Sequence, residues 1–223
     1  MTRKLILGLG LLLLTISGKG QSISDLFLQL PDTIVDNLTA KERAKIITNK
    51  SCHLSGNSKE EKVVYTLEEN DSAKDFLRIE MTFESGQDGY ETFELRSFDM
   101  QSGGKLVIYS NIGGAHDDYN QNKLIVFEYK NGKLQPSKTN YLPKEIGIKD
   151  FIKPNTPTLL INKYKQNSCN AYNLRSEGDD ITYSLNDNNL YDNEFNSSYI
   201  RGNSIKFVWN GNRFERKKVT KEE

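Results

Sequence analysis

The chain has 223 residues, with 30 lysines and arginines against 30 aspartates and glutamates, and 36% of its residues are hydrophobic. The bases are scattered rather than gathered into a stripe, which excludes the electrostatic footprint of a nucleic-acid binder. Ten phenylalanines, eleven tyrosines and one tryptophan supply enough apolar surface for a real core, which excludes disorder throughout.

Residues 1–20 read as a secretory signal peptide. Arg3 and Lys4 form a positive start, Leu5 to Ile16 form an apolar run of 12 residues, and Gly18 and Gly20 put small residues before Gln21. Crossing a bilayer takes about 20 apolar residues, and this run ends in Ser17, Gly18 and Lys19. The residue directly after Gly20 is Gln21 rather than a cysteine, so a soluble mature chain without a lipid anchor at that position or an integral membrane segment is expected. It would carry 27 bases against 30 acids, a net charge near −3.

Two short amphipathic helices open the mature part. In "SISDLFLQL", Ile23, Leu26, Phe27 and Leu30 share one helical face, Ser24 or Asp25 provides a start and Pro31 a stop. In "TAKERAKII", Thr39 and Glu42 have the capping-box spacing, and Ala40, Ala44 and Ile47 face one way. From residue 60 the period changes to two. "KVVYTL", "FLRIEMTF", "YETFELRSF", "KLVIYSNI", "KLIVFEYK", "TLLINKY", "ITYSL" and "IKFVWN" read as strands separated by Gly, Asn, Asp and Ser clusters.

Asn131-Gly132 and Asn210-Gly211 mark hairpins, since both residue types tolerate the positive φ of a type I′ turn. "GIKDFIKPNT" is a short helix closed by Pro154, and its Ile148, Asp150, Phe151, Pro154 and Thr156 echo Ile23, Asp25, Phe27, Pro31 and Thr33. The echo fits a helix-plus-sheet unit used twice. The terminal "ERKKVTKEE" reads as a solvated mixed-charge tail. The expected fold is α+β, a mainly antiparallel sheet of hairpins with a helical N-terminal cap, as a single domain over residues 21–223.

The signal ending before Gln21, the segment "DLFLQLPDTIVDNLTAKERAKII" and the strand-rich body together resemble uncharacterised secreted proteins of the Bacteroides group, strongly over residues 22–50 and in architecture beyond them. The resemblance implies a Gram-negative periplasm or outer surface, and no activity. It also implies O-glycosylation at Asp-Ser/Thr before a small or apolar residue, a pattern met by "DSA" at Ser72 and by "DTI" at Thr33, with Ser72, between strands, the better acceptor.

The most chemical stretch is "GGAHDDYNQN", residues 113–122, where His116 precedes Asp117 and Asp118. A nucleophilic triad needs a histidine between a hydroxyl or thiol and an orienting carboxylate, and no G-x-S-x-G elbow is present. The stretch reads instead as a polar loop of near ten residues, with His116, Asp117, Asp118 and Tyr119 as ligand contacts. His53 follows Cys52, a hint of metal binding without the spacing of a zinc site.

Asp179, Asp180, Asp187, Asp192 and Glu194 lie among asparagines, oxygen-rich surroundings that suit calcium, although Tyr191 breaks the EF-hand order. Asp187, Asp192 and Glu194 are the metal candidates. Tyr172, Tyr183, Tyr191, Tyr199 and Trp209 could stack on a carbohydrate, but Phe207 and Trp209 alternate on one face of "IKFVW" and point to the core. Cys52 and Cys169 are the two cysteines, and an oxidising compartment favours their pairing. The expectation for function is a secreted or periplasmic, non-enzymatic protein without cofactor that binds an envelope protein or a carbohydrate. A metal-dependent or His-based hydrolase using residues 113–122 is the alternative.

Overall fold

The computed structural model describes residues 21–35, 37–55, 62–115, 118–143, 146–167, 169–175, 178–186 and 198–221. Helices α1 (Ile23–Gln29) and α2 (Ala40–Asn49) come first, each opened by a reciprocal cap. The Thr39 hydroxyl accepts from the Glu42 N–H while the Glu42 carboxylate accepts from the Thr39 N–H at 2.8 Å. In α1 the cap is Ser22 with Asp25, rather than Ser24 or Asp25 as a start, because Asp25 is needed at the third helical position to accept from Ser22. Each box satisfies two backbone donors that a helix start leaves without partners.

The buried side of α2 also differs from the expected Ala40, Ala44 and Ile47: Arg43 and Ile46 are buried and Ala40 is exposed. Arg43 turns inward because the chain leaving α1 has carbonyls to satisfy. Its guanidinium donates to Leu30 O at 2.5 Å and Leu38 O at 2.7 Å, pairs with Asp32 at 2.9 Å, and lies 5.8 Å from the centre of the Phe27 ring.

Strands β1 (Ser51–Ser55), β2 (Lys62–Asp71), β3 (Phe76–Phe83), β4 (Tyr90–Asp99), β5 (Lys105–Ala115), β6 (Asp118–Lys130) and β7 (Lys133–Pro136) form one sheet in sequence order, antiparallel throughout. Strands β8 (Cys169–Asn173), β9 (Asp180–Asn186), β10 (Ser204–Trp209) and β11 (Phe214–Thr220) form a second antiparallel meander. A 3-10 turn at Ile148–Asp150 and helix α3 (Thr158–Asn167) lie between the two, so each sheet follows a helical segment in the chain. The fold is α+β and mainly antiparallel sheet, as its strand patterns foretold.

Three elements depart from the sequence reading. "TLLINKY" belongs to α3, not a strand: Ile161 N–H donates to Pro157 O, and Leu160 and Ile161 lie side by side against the second core while Leu159 is exposed. A short apolar run does not distinguish the two periods. The charged tail contains edge strand β11, whose Phe214 is buried while the charges that follow face solvent. Lysine-rich edges of this kind resist pairing with foreign strands. At the first Asn-Gly, Asn131 and Gly132 have φ of 53° and 77°, as a type I′ turn requires. At the second only Gly211 is positive, and a four-residue connection forms because the Asn210 side chain accepts from the Asn212 and Arg213 N–H groups at 3.0 Å.

Both faces of the long sheet are covered, giving three layers. One face packs Leu77, Ile79, Phe93, Leu95, Val107 and Tyr109 against α1 and α2. The other packs Phe76, Phe98, Leu106 and Ile108 against Ile181, Ile205, Phe207 and Trp209 of the second sheet. Phe207 and Trp209 do share the core face, and the Trp209 indole donates to Asp99 O at 2.8 Å. Seven successive residues of β4, Thr92 to Phe98, are buried, as befits a strand covered on both sides. Burying an aromatic or large aliphatic side chain here contributes about 1.5–3 kcal/mol. No helix among the described residues is long and apolar enough to cross a membrane.

Candidate functional site

The stretch 113–122 is not a ten-residue loop. Strand β5 runs through Gly113 and Gly114 to Ala115, which pairs with Asp118 at the start of β6. His116, Asp117 and the side chain of Asp118 lie outside the described residues. The glycines belong in the strand for reasons of packing and backbone conformation: a Cβ on Gly113 would sit 2.7 Å from the Asn122 side-chain nitrogen, and Gly114 has φ of 154°. Gly114 shares a cross-strand row with Tyr90, Thr82, Val64 and His53. His53 is therefore four strand spacings away, roughly 19 Å, where it bonds Glu84 at 2.5 Å near solvent.

Asp187, Tyr191, Asp192 and Glu194 also lie outside the described residues. Asp180 belongs to β9, where it pairs with Lys206 at 2.6 Å. Among the described residues no three His, Cys, Asp or Glu side chains gather as a metal site. The expected Cys52–Cys169 bond is not made: Cys52 is a free, buried thiol in the core under α1 and α2, whereas Cys169 begins β8 in the other sheet. Free cysteine packs as a small apolar residue, which is what Cys52 does. Ser72 is exposed in the β2–β3 turn, where Asp71 accepts from the Ala73 and Lys74 N–H groups. Tyr172 and Tyr183 pack edge to face at 4.9 Å inside the second core.

Tyr119 is the sequence candidate that the fold carries to a concave site. On the sheet face turned to the second sheet, Tyr90, Gly114 and Tyr119 form one row, Thr92 and Ile112 the next, and Arg78, Glu94 and Ser110 the one beyond. The face thus grades from the apolar core at Phe98 and Leu106 to polar groups near the β5–β6 turn. The two sheets part there into a cleft of about 220 Å³, whose far wall is Ala171, Asn173 and Ser184 of β8 and β9.

Glu94 closes the floor at 2% exposure. Its Oε1 accepts from Arg78 Nη1 at 3.2 Å and its Oε2 from the Leu174 N–H at 3.0 Å. Burial pushes its carboxyl above the ordinary range, against the lowering influence of the Leu174 N–H and the Arg78 charge. Beside it Thr92 is also 2% exposed, and its hydroxyl has no hydrogen-bond partner. Gln121 locks the wall by accepting from the Tyr172 N–H at 2.9 Å and donating to Ser110 at 2.9 Å and Asn111 O at 3.1 Å.

The arrangement offers a guanidinium, hydroxyls and an amide on rigid strands, the equipment of a polar binding site. The sequence hid Arg78, Thr92 and Glu94 because period two in "FLRIEMTF" and "YETFELRSF" marks a strand without saying what covers its polar side. A larger, open groove of about 710 Å³ runs beside the β6–β7 turn past Lys130, Lys133 and Lys138. It has no buried polar group to fix a ligand, and flexible lysines there lose side-chain freedom on binding.

No protein-family model and no curated protein matches the chain. Among solved structures it is similar to a domain of an uncharacterised protein from Porphyromonas gingivalis W83, with a TM-score of 0.58 and 15% identity over 89% of this chain and 98% of that one. At that identity the likeness is one of fold.

Proposed function

We propose that the chain is a secreted, non-enzymatic binding protein of the bacterial cell envelope, and that it takes a small polar ligand in the cleft between its sheets. The signal-like residues 1–20 and a fold neighbour from Porphyromonas gingivalis support the setting. The observation that carries the binding reading is Thr92. A hydroxyl buried without a partner costs about 1–3 kcal/mol, and Thr92 lines a concavity between the two sheets. A ligand that bonds it would recover that cost.

Thermal melts of the mature protein against a panel of small sugars, amino acids and organic acids test the proposal. A ligand at 100 times its Kd adds about 2.7 kcal/mol to stability. At least one compound should raise the melting temperature with concentration, and Asn173→Trp, an exposed wall position, should abolish the rise while leaving the ligand-free melt intact. A panel without effect, or a rise that survives Asn173→Trp, would count against it.

A further inference from the structure

We infer that the cleft is built for a small carboxylate rich in hydroxyls, an acidic monosaccharide of the uronic-acid class. The inference rests on the cleft being a binding site, as proposed above, and specifies its occupant. Size is the first argument. A volume of about 220 Å³ falls below the range of about 300–1,000 Å³ usual for drug-sized ligands. One sugar ring, or the terminal ring of a longer glycan, suits it.

Charge is the second. A guanidinium has five N–H donors, and Arg78 gives one bond, to Glu94, while its side chain stays 28% exposed along the cleft. The remaining donors match the two oxygens of a carboxylate in a forked pair. Glu94 does not compete for them, because each of its oxygens already accepts an N–H and burial disfavours its charge.

The third argument is the polar lining. Thr92 brings a buried hydroxyl without a partner, and Ser184 and Asn173 bring short polar groups across the gap. Tyr90 and Tyr119 flank Gly114 on one row, two strand spacings or roughly 10 Å apart, so a residue without a side chain separates two aromatic rings at the mouth. Sugars present this combination of hydroxyl edges and apolar ring faces, and a carboxylate adds the group Arg78 selects.

Titration calorimetry with D-galacturonate and D-glucuronate, beside D-galactose, D-glucose and succinate, decides the matter. One of the two acids should bind at least about tenfold tighter than its neutral parent and than succinate. Arg78→Lys keeps a cation beside Glu94 but loses the fork, and should weaken the acid about tenfold while leaving the neutral sugar unchanged. Thr92→Val should weaken both sugars. Equal binding of acid and neutral parent, or no effect of Arg78→Lys, overturns the carboxylate assignment and leaves the cleft as a binding site. Equal binding of succinate overturns the sugar assignment. If none of the five binds, the inference fails, and the wider panel with Asn173→Trp shows separately whether the cleft binds anything.

Discussion

The two covered faces of the long sheet are held by different physics. Toward α1 and α2, the sheet presents Leu77, Ile79, Phe93, Leu95 and Val107, and contact there is mainly non-directional burial, with directed bonds such as Ser24 to Asn70 at the margin. Toward the second sheet, apolar packing at Phe98 and Leu106 gives way to directed bonds. Arg96 donates to Leu174 O and Asp180 O at 2.6 Å each and to Gly178 O. Glu94 and Gln121 accept from the N–H groups of Leu174 and Tyr172. Strand β8 is the edge of its sheet, and an edge leaves a row of backbone groups without a neighbouring strand. Side chains of β4 and β6 take that neighbour's place, which fixes where the second sheet sits and leaves the cleft open beside the junction.

The largest effect should come from the apolar face. Phe93→Ala should cost about 3–5 kcal/mol in a chemical melt, and a cost under about 1 kcal/mol would mean the helical layer contributes little. Arg96→Met should cost about 3 kcal/mol, because it strips buried carbonyls of their donor. Hydrogen exchange should then quicken in β8 and β9 while β2 and α1 stay protected; uniform quickening would show that the faces are not separable.

Glu94 gives the comparison a pH axis. A carboxyl whose folded pKa is raised contributes stability that is complete below the unfolded value, about 4.3, and is lost as pH rises through the folded value. The stability difference between the protein and Glu94→Gln should therefore shift in favour of the variant from pH 4 to pH 8. A difference independent of pH would mean that Glu94 keeps its ordinary pKa. Smaller still, Thr92→Val should stabilise the ligand-free protein by up to about 1 kcal/mol, since an unpartnered hydroxyl is replaced by a methyl of similar shape; a loss would show that the hydroxyl is bonded after all. Ser72→Ala should stay within about 0.5 kcal/mol. If Ser72 carries the glycan proposed for it, the protein isolated from its native host should lose that mass in the variant, and an unmodified intact mass beforehand would dismiss the site.

What the sequence made legible follows the same division. Local signals carried through: Thr39 with Glu42, Asn131 with Gly132, and the shared core face of Phe207 and Trp209 are set by neighbours within a few residues. Signals that depend on distant partners did not. Thr92, Glu94 and Arg96 alternate with Phe93 and Leu95 as a half-solvated strand would, and only the arrival of β8 and β9, about 80 residues later, turns their side inward. The inward turn of Arg43, where Ala40, Ala44 and Ile47 were expected to share a face, has the same cause, since the chain after α1 contributes one of its carbonyl partners. The binding-site candidates were legible only at Tyr119, because the cleft is made by two sheets whose contact leaves no periodic trace.

Every strand of both sheets pairs with the strand before or after it in the chain. Position in each sheet thus follows position in the chain. Most contacts of the first sheet form over short loops, the condition for rapid closure, so a polypeptide emerging from its N-terminus can extend the sheet one hairpin at a time. Among the exceptions are the bonds that join the sheets, with separations of 51 for Gln121 to Tyr172, 80 for Glu94 to Leu174 and 110 for Trp209 to Asp99, and those that hold the N-terminal segment, such as Tyr129 to Gln21 at 108. Until those close, one side of a finished seven-stranded sheet is bare, and Phe98 and Leu106 stand exposed beside the polar row. The interval between synthesis of β7 and docking of β8 is therefore when the nascent chain most needs shielding from its neighbours.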